Sequence, residues 1–274
     1  MTDRYAVFGN PIGHSKSPAI HAAFAAQTHQ AIRYEAILAP LDGFARAVGE
    51  FAATGGRGAN VTVPFKEEAH RLATRLSPRA VRAGAVNTLS FDAEGIAGDN
   101  TDGAGLVADL QGNLGFALAG RRVLLLGAGG AARGVAGPLL DAGVAQLFIA
   151  NRNPVRAHEL ARLFSPHGEV SGHGLGEIRG SFDLVINATA ASLAGESLAL
   201  PPGSYAPGAL AYDMMYGRDE TPFLLAARAL GAARGADGLG MLVEQAAEAF
   251  LHWRGLRPDT APVLADLRAR LAAA

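Results

Sequence analysis

Cysteine is absent from the 274 residues, which excludes a disulfide framework, a zinc–thiolate site and a thiol nucleophile. Lysine is nearly absent: of the 24 basic residues all are arginine except Lys16 and Lys66. Charge of either sign is in little excess, with a formal net charge of −1, so no broad field draws the chain to nucleic acid or anionic lipid. Arg or Asp interrupts each long apolar run, and no segment reads as a membrane helix. The eight histidines show no ligand spacing such as H-E-x-x-H, so no metal site is expected. The N-terminal "MTDRYAVFG" carries an acid and reads as a strand, not as a secretory signal. No internal repeat or low-complexity linker interrupts the chain. These absences leave a soluble, cytoplasmic protein; a small-molecule substrate and a monomer or homodimer are the expectation for its partners.

The composition is 49% hydrophobic and 18% charged, which is globular, and the length suits two domains. In the front half, short β-branched runs alternate with alanine-rich stretches. Strands are expected at 5–9, 32–38, 58–63, 85–91 and 95–99. Helices are expected at 17–28, with Ser17 as N-cap and Pro18 at the first helical position, and at 42–53. The alternation predicts an α/β domain with a mostly parallel sheet. A helix from 102 leads to a second unit, with strand, glycine turn and helix over 121–143, a strand at 146–153 followed by the helix "PVRAHELARLF", strands at 182–189 and 209–216, and a loop at 195–208 rich in Gly and Pro. Helices at 238–255 and 260–274 finish the chain.

In the second unit, "VLLLGAGGAARG" sets Gly127, Gly129 and Ala132 in a G-x-G-x-x-A pattern directly after an apolar strand and before a helix. This is the dinucleotide fingerprint in the context it needs. Gly127 permits the tight turn, Gly129 lets the backbone approach a pyrophosphate, and Ala132 allows close helix–strand packing. The next strand ends "ANRNPVR", without the acid that would bond the ribose 2′-hydroxyl of NAD. Arg152 stands there instead, with Arg156 one helical turn on, and guanidinium groups suit a 2′-phosphate. NADP is therefore the expected cofactor. Arg156 taken alone would equally suit a solvated helix face.

"NVTVPFK" ends in one of the two lysines. Strand alternation puts Val61 and Val63 on one face and Asn60 and Thr62 on the other. A buried Asn costs stability unless it is bonded. Pro64 ends the strand, so Lys66 emerges at a C-terminal strand edge, where open α/β sheets bind ligands. "GAVNTL" adds Asn87, a second amide in a buried-looking strand, and "GDNTDGAG" brings Asp102 to the junction of the two units. Hydride transfer at an alcohol or ketone needs a partner for the hydroxyl proton. Lysine can serve where always-protonated arginine cannot, which marks Lys66 and Asp102 as a candidate acid–base pair. A surface ion pair with Glu67, Glu68 or Asp102 is the plainer alternative for Lys66. The other lysine lies in "GNPIGHSKSPAIH", where Ser15 and Ser17 flank it beside a helix N-terminus that would suit a carboxylate. No role is assigned to His14. Gln245, among small and apolar residues, offers a polar contact toward the cleft, and "YDMMY" places Tyr216 at a strand end.

The sequence resembles the shikimate dehydrogenase family nearly end to end, through "GNPIGHSKSPAIH", "NVTVPFK", "GAVNT", "GDNTDGAG", "GAGGAARG", "NRN", "INAT", "YDMMYGRDETPFL" and "DGLGMLVEQAAEAF". The resemblance implies NADPH-dependent reduction of 3-dehydroshikimate to shikimate, in aromatic amino-acid biosynthesis. It implies an N-terminal substrate domain (1–102), a Rossmann-type NADP domain (103–237) and C-terminal helices (238–274) that return to the substrate domain. It also implies that Ser15, Ser17 and Tyr216 hold the substrate carboxylate. Thr62, Lys66, Asn87, Asp102 and Gln245 would contact the ring hydroxyls, with Lys66 and Asp102 catalytic. Gly127, Ala128, Gly129, Gly130, Ala131, Asn151, Arg152, Asn153, Arg156, Met214 and Gly238 would line the cofactor site. Asn153 and Ala190 depart from the residues usual at those places, Thr and Ser. A quinate/shikimate dehydrogenase and a non-catalytic sensor of shikimate-type ligands are the alternatives. The first would favour NAD or use either cofactor, and the second should have lost the Lys/Asp pair.

Overall fold

A computed structural model describes residues 2–189, 191 and 198–273. Two six-stranded sheets carry the molecule. The first contains β1 (Asp3–Gly9), β2 (Ile32–Leu38), β3 (Gly56–Val61), β4 (Arg75–Leu76), β5 (Thr88–Asp92) and β6 (Gly95–Asp99), in the order β2-β1-β3-β5-β6-β4. β1 lies between β2 and β3, and its last five residues are buried, as expected of a parallel strand covered by helices. β5 runs antiparallel to both β3 and β6, because only two residues separate it from β6 and so short a link can only make a hairpin. Helices α1 (Ser17–Gln27), α2 (Phe44–Ala53), α3 (Lys66–Leu72) and α4 (Pro78–Ala83) cover this sheet.

α5 (Asp102–Ala108), extended by a single π turn at 109–113, leads into the second sheet. There β7 (Arg122–Leu126), β8 (Gln146–Asn151), β9 (Val170–Gly174), β10 (Phe182–Asn187), β11 (Tyr205–Asp213) and β12 (Arg234–Asp237) are parallel throughout. Their order is β12-β11-β10-β7-β8-β9. Reversal of strand order at β7 is the doubly wound, Rossmann-type arrangement, which opens a crevice at the C-terminal ends of β7 and β10. The helices of this half are α6 (Gly130–Asp141), α7 (Pro154–Phe164) and α8 (Pro222–Ala229). α9 (Leu239–Arg254) and α10 (Ala261–Ala273) then return to α1, and Ile20, Phe24, Val243, Phe250, Val263 and Leu267 share one apolar cluster.

α5 is the wedge between the halves, and its glycines set how closely it is gripped. A Cβ on Gly105 would lie 2.6 Å from Gln245 Cβ in α9, and one on Gly103 would lie 2.5 Å from the Gly134 carbonyl in α6. Asp102 opens this helix and therefore sits where both halves meet.

Several expectations change. Ser17 is the first residue of α1 and not its N-cap; Lys16 takes that place, and no side chain caps the helix. Ser15 Oγ instead accepts the Ser17 N–H at 3.3 Å. β3 stops at Val61, so Val63 lies in the turn with its side chain exposed rather than sharing a face with Val61. Lys66 is then the first residue of α3, beyond the strand edge. β11 begins at Tyr205, inside the stretch read as a loop; of that stretch residues 195–197 lie outside the described residues, as does Ala190. The short edge strands β4, β9 and β12, and helices α3, α4 and α8, were not expected. Such elements have too few residues to show a period.

Candidate active site

The chemistry-bearing side chains converge where α5 meets the end of β3. Lys66 Nζ donates to Asp102 Oδ2 at 2.5 Å, and both groups are largely buried. The other carboxylate oxygen of Asp102 accepts from Asn87 Nδ2 at 2.8 Å, and its backbone N–H donates to Asn100 Oδ1. Asn87 cannot flip. Its Oδ1 accepts from the Thr101 N–H at 2.8 Å and from the Thr88 hydroxyl at 2.9 Å, which leaves only Nδ2 to face Asp102. The same Nδ2 reaches Gln245 Oε1 at 3.2 Å, so α9 contributes to the cluster. Asn60, buried in β3, donates to the Asn87 carbonyl and to Thr88 Oγ1. The amide whose burial demanded a partner thus braces Asn87, which lies just ahead of β5 and not within the strand expected over 85–91. Thr62 lies half-buried in the turn before Lys66, its N–H donating to the Phe8 carbonyl.

The two serines occupy the entry to α1. Ser17 is buried and Ser15 half-buried. Tyr216 packs against the α1–α9 cluster, where burial raises its phenol above the usual range. Among the described residues no hydrogen bond joins it to either serine. His14 is exposed. A further residue, unremarked in the sequence, lies one turn along α1. His21 is fully buried, stacked on Tyr34 with ring centroids 4.2 Å apart and planes 7° from parallel. Phe250 and Trp253 complete its box. Neither ring nitrogen has a hydrogen-bond partner among the described residues. Burial drives its pKa down to about 3, and the Asn60 side chain nearby offsets little of that.

This makes a prediction. An unfolded chain protonates its histidine near 6.5 and the folded one only near 3, so between those values the unfolded state holds more protons and stability rises with pH. One such group costs the fold about 3 kcal/mol between pH 6.5 and 4. Denaturant midpoints, followed by the fluorescence of Trp253, the only tryptophan, should fall over that range. His21→Phe should flatten the slope. A slope unchanged in that variant would place the acid sensitivity elsewhere.

On the other side of the cleft, Gly127 has φ of +114°, and a Cβ there would meet the Ala188 carbonyl at 3.1 Å. Gly129 caps α6, and a Cβ there would meet nothing within 4 Å, so this glycine leaves open space above the helix start. Gly130 begins α6 and lies under the Lys66 side chain, 3.5 Å from its Cβ to an added Cβ. Ala128 is buried and Ala131 half-buried on the same turn. The glycine turn and the lysine are therefore adjacent. An exposed helix start with open space above it fits a pyrophosphate, since its free N–H groups and the helix dipole favour anions.

At the end of β8, Asn151 Nδ2 donates to the Asn153 carbonyl at 3.0 Å, and Asn153 Oδ1 caps α7 by accepting the Val155 N–H. These bonds fix the turn that presents Arg152. Arg152 and Arg156 are both exposed, and neither forms an ion pair among the described residues. Met214 and Gly238 meet at the ends of β11 and β12: the Met214 N–H donates to the Asn187 carbonyl, and the Met214 backbone leaves no room for a Cβ on Gly238. No group of three or more His, Asp or Glu suited to a metal occurs among the described residues.

The same residues carry similarity to known proteins. Residues 7–89 match the shikimate dehydrogenase substrate binding domain, residues 110–194 the shikimate / quinate 5-dehydrogenase family and residues 238–268 the shikimate 5'-dehydrogenase C-terminal domain. The chain is 68% identical to a shikimate dehydrogenase (NADP(+)) of Dechloromonas aromatica over all of both chains. It is 61% identical to that of Nitrosospira multiformis over 99% of each. Its fold superposes with a TM-score of 0.86 on shikimate 5-dehydrogenase of Thermus thermophilus in complex with NADP(H) and shikimate, at 36% identity over 98% of this chain and 100% of the other. The chain belongs to the shikimate dehydrogenase family.

Proposed function

We propose that the protein is an NADP-dependent shikimate dehydrogenase, reducing 3-dehydroshikimate to shikimate reversibly, with Lys66 and Asp102 as its acid–base pair. The observation that carries the residue assignment is the contact between Lys66 Nζ and Asp102 directly above the Gly130 turn. It sets a proton donor beside the place where the fold would seat a nicotinamide. The activity itself is supported by relatives with that name at 68% and 61% identity.

When bound, NADPH supplies the hydride to the substrate carbonyl carbon. The chain supplies the rest. The Lys66 ammonium delivers a proton to the oxygen as it gains charge and recovers one from solvent. Asp102, locked by Asn87 and its own backbone bond to Asn100, aims the ammonium and accepts from a ring hydroxyl. Thr62, Asn87 and Gln245 orient the ring hydroxyls. Ser15, Ser17 and Tyr216 receive the carboxylate. Residues 1–102 with 238–274 form the substrate-holding part, and 103–237 the cofactor-holding part. Gly127, Ala128, Gly129, Gly130 and Ala131 would hold the pyrophosphate, Asn151, Arg152, Asn153 and Arg156 the 2′-phosphate, and Met214 with Gly238 the nicotinamide end.

Initial rates followed by NADPH absorbance, with shikimate or quinate against NADP or NAD, test this directly. Shikimate with NADP should be the preferred pair. Quinate turned over as fast as shikimate, or NAD used as well as NADP, would replace the reading with a relaxed quinate/shikimate dehydrogenase.

A further inference from the structure

Helix α6 meets residues 1–102 along its length. Gly130, Gly134 and Gly137 lie on one face of it, at helical spacing. Gly130 sits under Lys66. A Cβ on Gly134 would lie 3.0 Å from Asn100 Oδ1 and 3.2 Å from Asp102 Oδ2, and one on Gly137 would lie 2.6 Å from Arg82 Nε. Glycine sets how near two surfaces can come, but it does not hold them together. A charge pair does that here. From α4, Arg82 Nη1 donates to Asp141 Oδ1 at 2.9 Å and Nη2 donates to Asp141 Oδ2, on the last residue of α6. A fork-on-fork pair of this kind is directional as well as strong. Among the described residues no other ion pair or side-chain hydrogen bond joins residues 1–102 to residues 103–237. The base of the grip is itself fixed. Ser77, which caps α4, donates to Asp99 Oδ1 at 2.5 Å, and Arg79 binds both oxygens of Asp99 and reaches Glu248 in α9. Asp99 ends β6, three residues before Asp102. Arg82 therefore holds α6 from a support tied to the segment that carries Asp102.

We propose that Arg82 is a positioning residue for hydride transfer: its pair with Asp141 pins the far end of α6, so that the glycine turn at the near end keeps its place beside Lys66. The proposal rests on the reading of that turn as the pyrophosphate site and of Lys66 as the proton donor. α6 has 12 residues, about 18 Å of helix at 1.5 Å per residue, and it meets Asn100 and Asp102 near its middle. Freed at Asp141, it tilts about that middle contact, and its start moves with it. The turn would carry the cofactor, while Lys66 and Asp102 belong to the other part, so a tilt changes the distance from hydride donor to substrate. Neither ligand loses a contact of its own, because neither Arg82 nor Asp141 bonds to a residue assigned to shikimate or NADP.

The test compares Arg82→Ala, Asp141→Ala and the double variant in the full chain. The readouts are the single-turnover rate of NADPH formation with shikimate and NADP both saturating, the KM of each, and a melting curve to show that each variant is folded. Either single variant should slow the single turnover about three- to tenfold, as misplacement of reacting atoms does. Both KM values should stay within roughly twofold, because the loss falls on the chemical step and not on binding. The double variant should be no slower than the slower single one, since two residues that act as one contact are not additive. Arg75→Ala is the control: it breaks ion pairs to Asp92 and Glu94 that lie wholly within residues 1–102, and it should leave the rate unchanged. An unchanged rate in Arg82→Ala overturns the proposal, as do losses that multiply in the double variant. So does a rate loss accompanied by a rise in both KM values, or an equal loss in Arg75→Ala, each the mark of a structural role only. A parent that does not oxidise shikimate with NADP removes the activity reading itself, and that outcome is visible before Arg82 is touched.

Discussion

Lys66→Ala is expected to lower kcat by roughly 10²–10⁴-fold, the usual worth of a positioned proton donor, while shikimate binding weakens only modestly. The asymmetry follows from geometry. Asp102 keeps its Asn87 and backbone partners when the lysine is gone, so the ring-hydroxyl contacts survive and only the proton route is lost. Lys66→Arg separates charge from proton transfer. The guanidinium preserves a cation opposite Asp102 but does not release its proton in a protein. It is also bulkier, in a place where the Lys66 stem already lies close over Gly130. Turnover should stay low in both variants. Near-normal turnover in Lys66→Arg would mean that the lysine is a fixed charge and that the proton comes from elsewhere. Removing one partner of a largely buried pair also costs stability, so a melting curve belongs beside the rates. A folded but inactive Lys66→Ala assigns the loss to chemistry.

That pair could be named from sequence because each member lies in a local motif at a recognisable break, a proline turn before Lys66 and the start of a helix at Asp102. The glycine turn was legible for the same reason: strand, turn and helix follow one another without a gap, and only glycine satisfies the φ at residue 127. The alternation of strand and helix in the front half foretold a mostly parallel first sheet, in which β5 is the exception, antiparallel to both its neighbours. What remained hidden depends on contacts between segments far apart in sequence. Tyr34 occupies an ordinary strand position, and nothing near it in the chain says that β1 will stand between β2 and β3 with Asn60 within reach. His21 looks like any helix residue until α9 closes over it. The end of β3 was misplaced because alternation cannot show where a strand stops. The row Asn60, Val61, Thr62, Val63 keeps its period through a turn in which Val63 is exposed.

Cofactor choice gives the other large expected effect. No acid stands at the end of β8, and the turn there is fixed by Asn151 and Asn153 so that Arg152 is presented to solvent with no ion pair of its own among the described residues. An arginine already paired would have to give up a carboxylate to bind phosphate; this one gives up only water. A charge-assisted contact of that kind is worth about 1.5–3 kcal/mol. The parent should therefore favour NADP over NAD by at least about tenfold in kcat/KM. Arg152→Ala should remove most of that preference by raising the KM for NADP, with the KM for NAD almost unchanged, because only NADP carries the 2′-phosphate. Arg152→Asp should reverse it, repelling the phosphate and offering NAD's ribose an acceptor. Arg156 is also exposed, so burial does not rank the two. It stands a helical turn further on, off the fixed turn, and Arg156→Ala should lose less. Initial rates with both cofactors decide the matter. If Arg152→Ala weakened NADP and NAD equally, the residue would be supporting the adenosine as a whole, and the phosphate would have to be read by Arg156 or by the asparagines beside it.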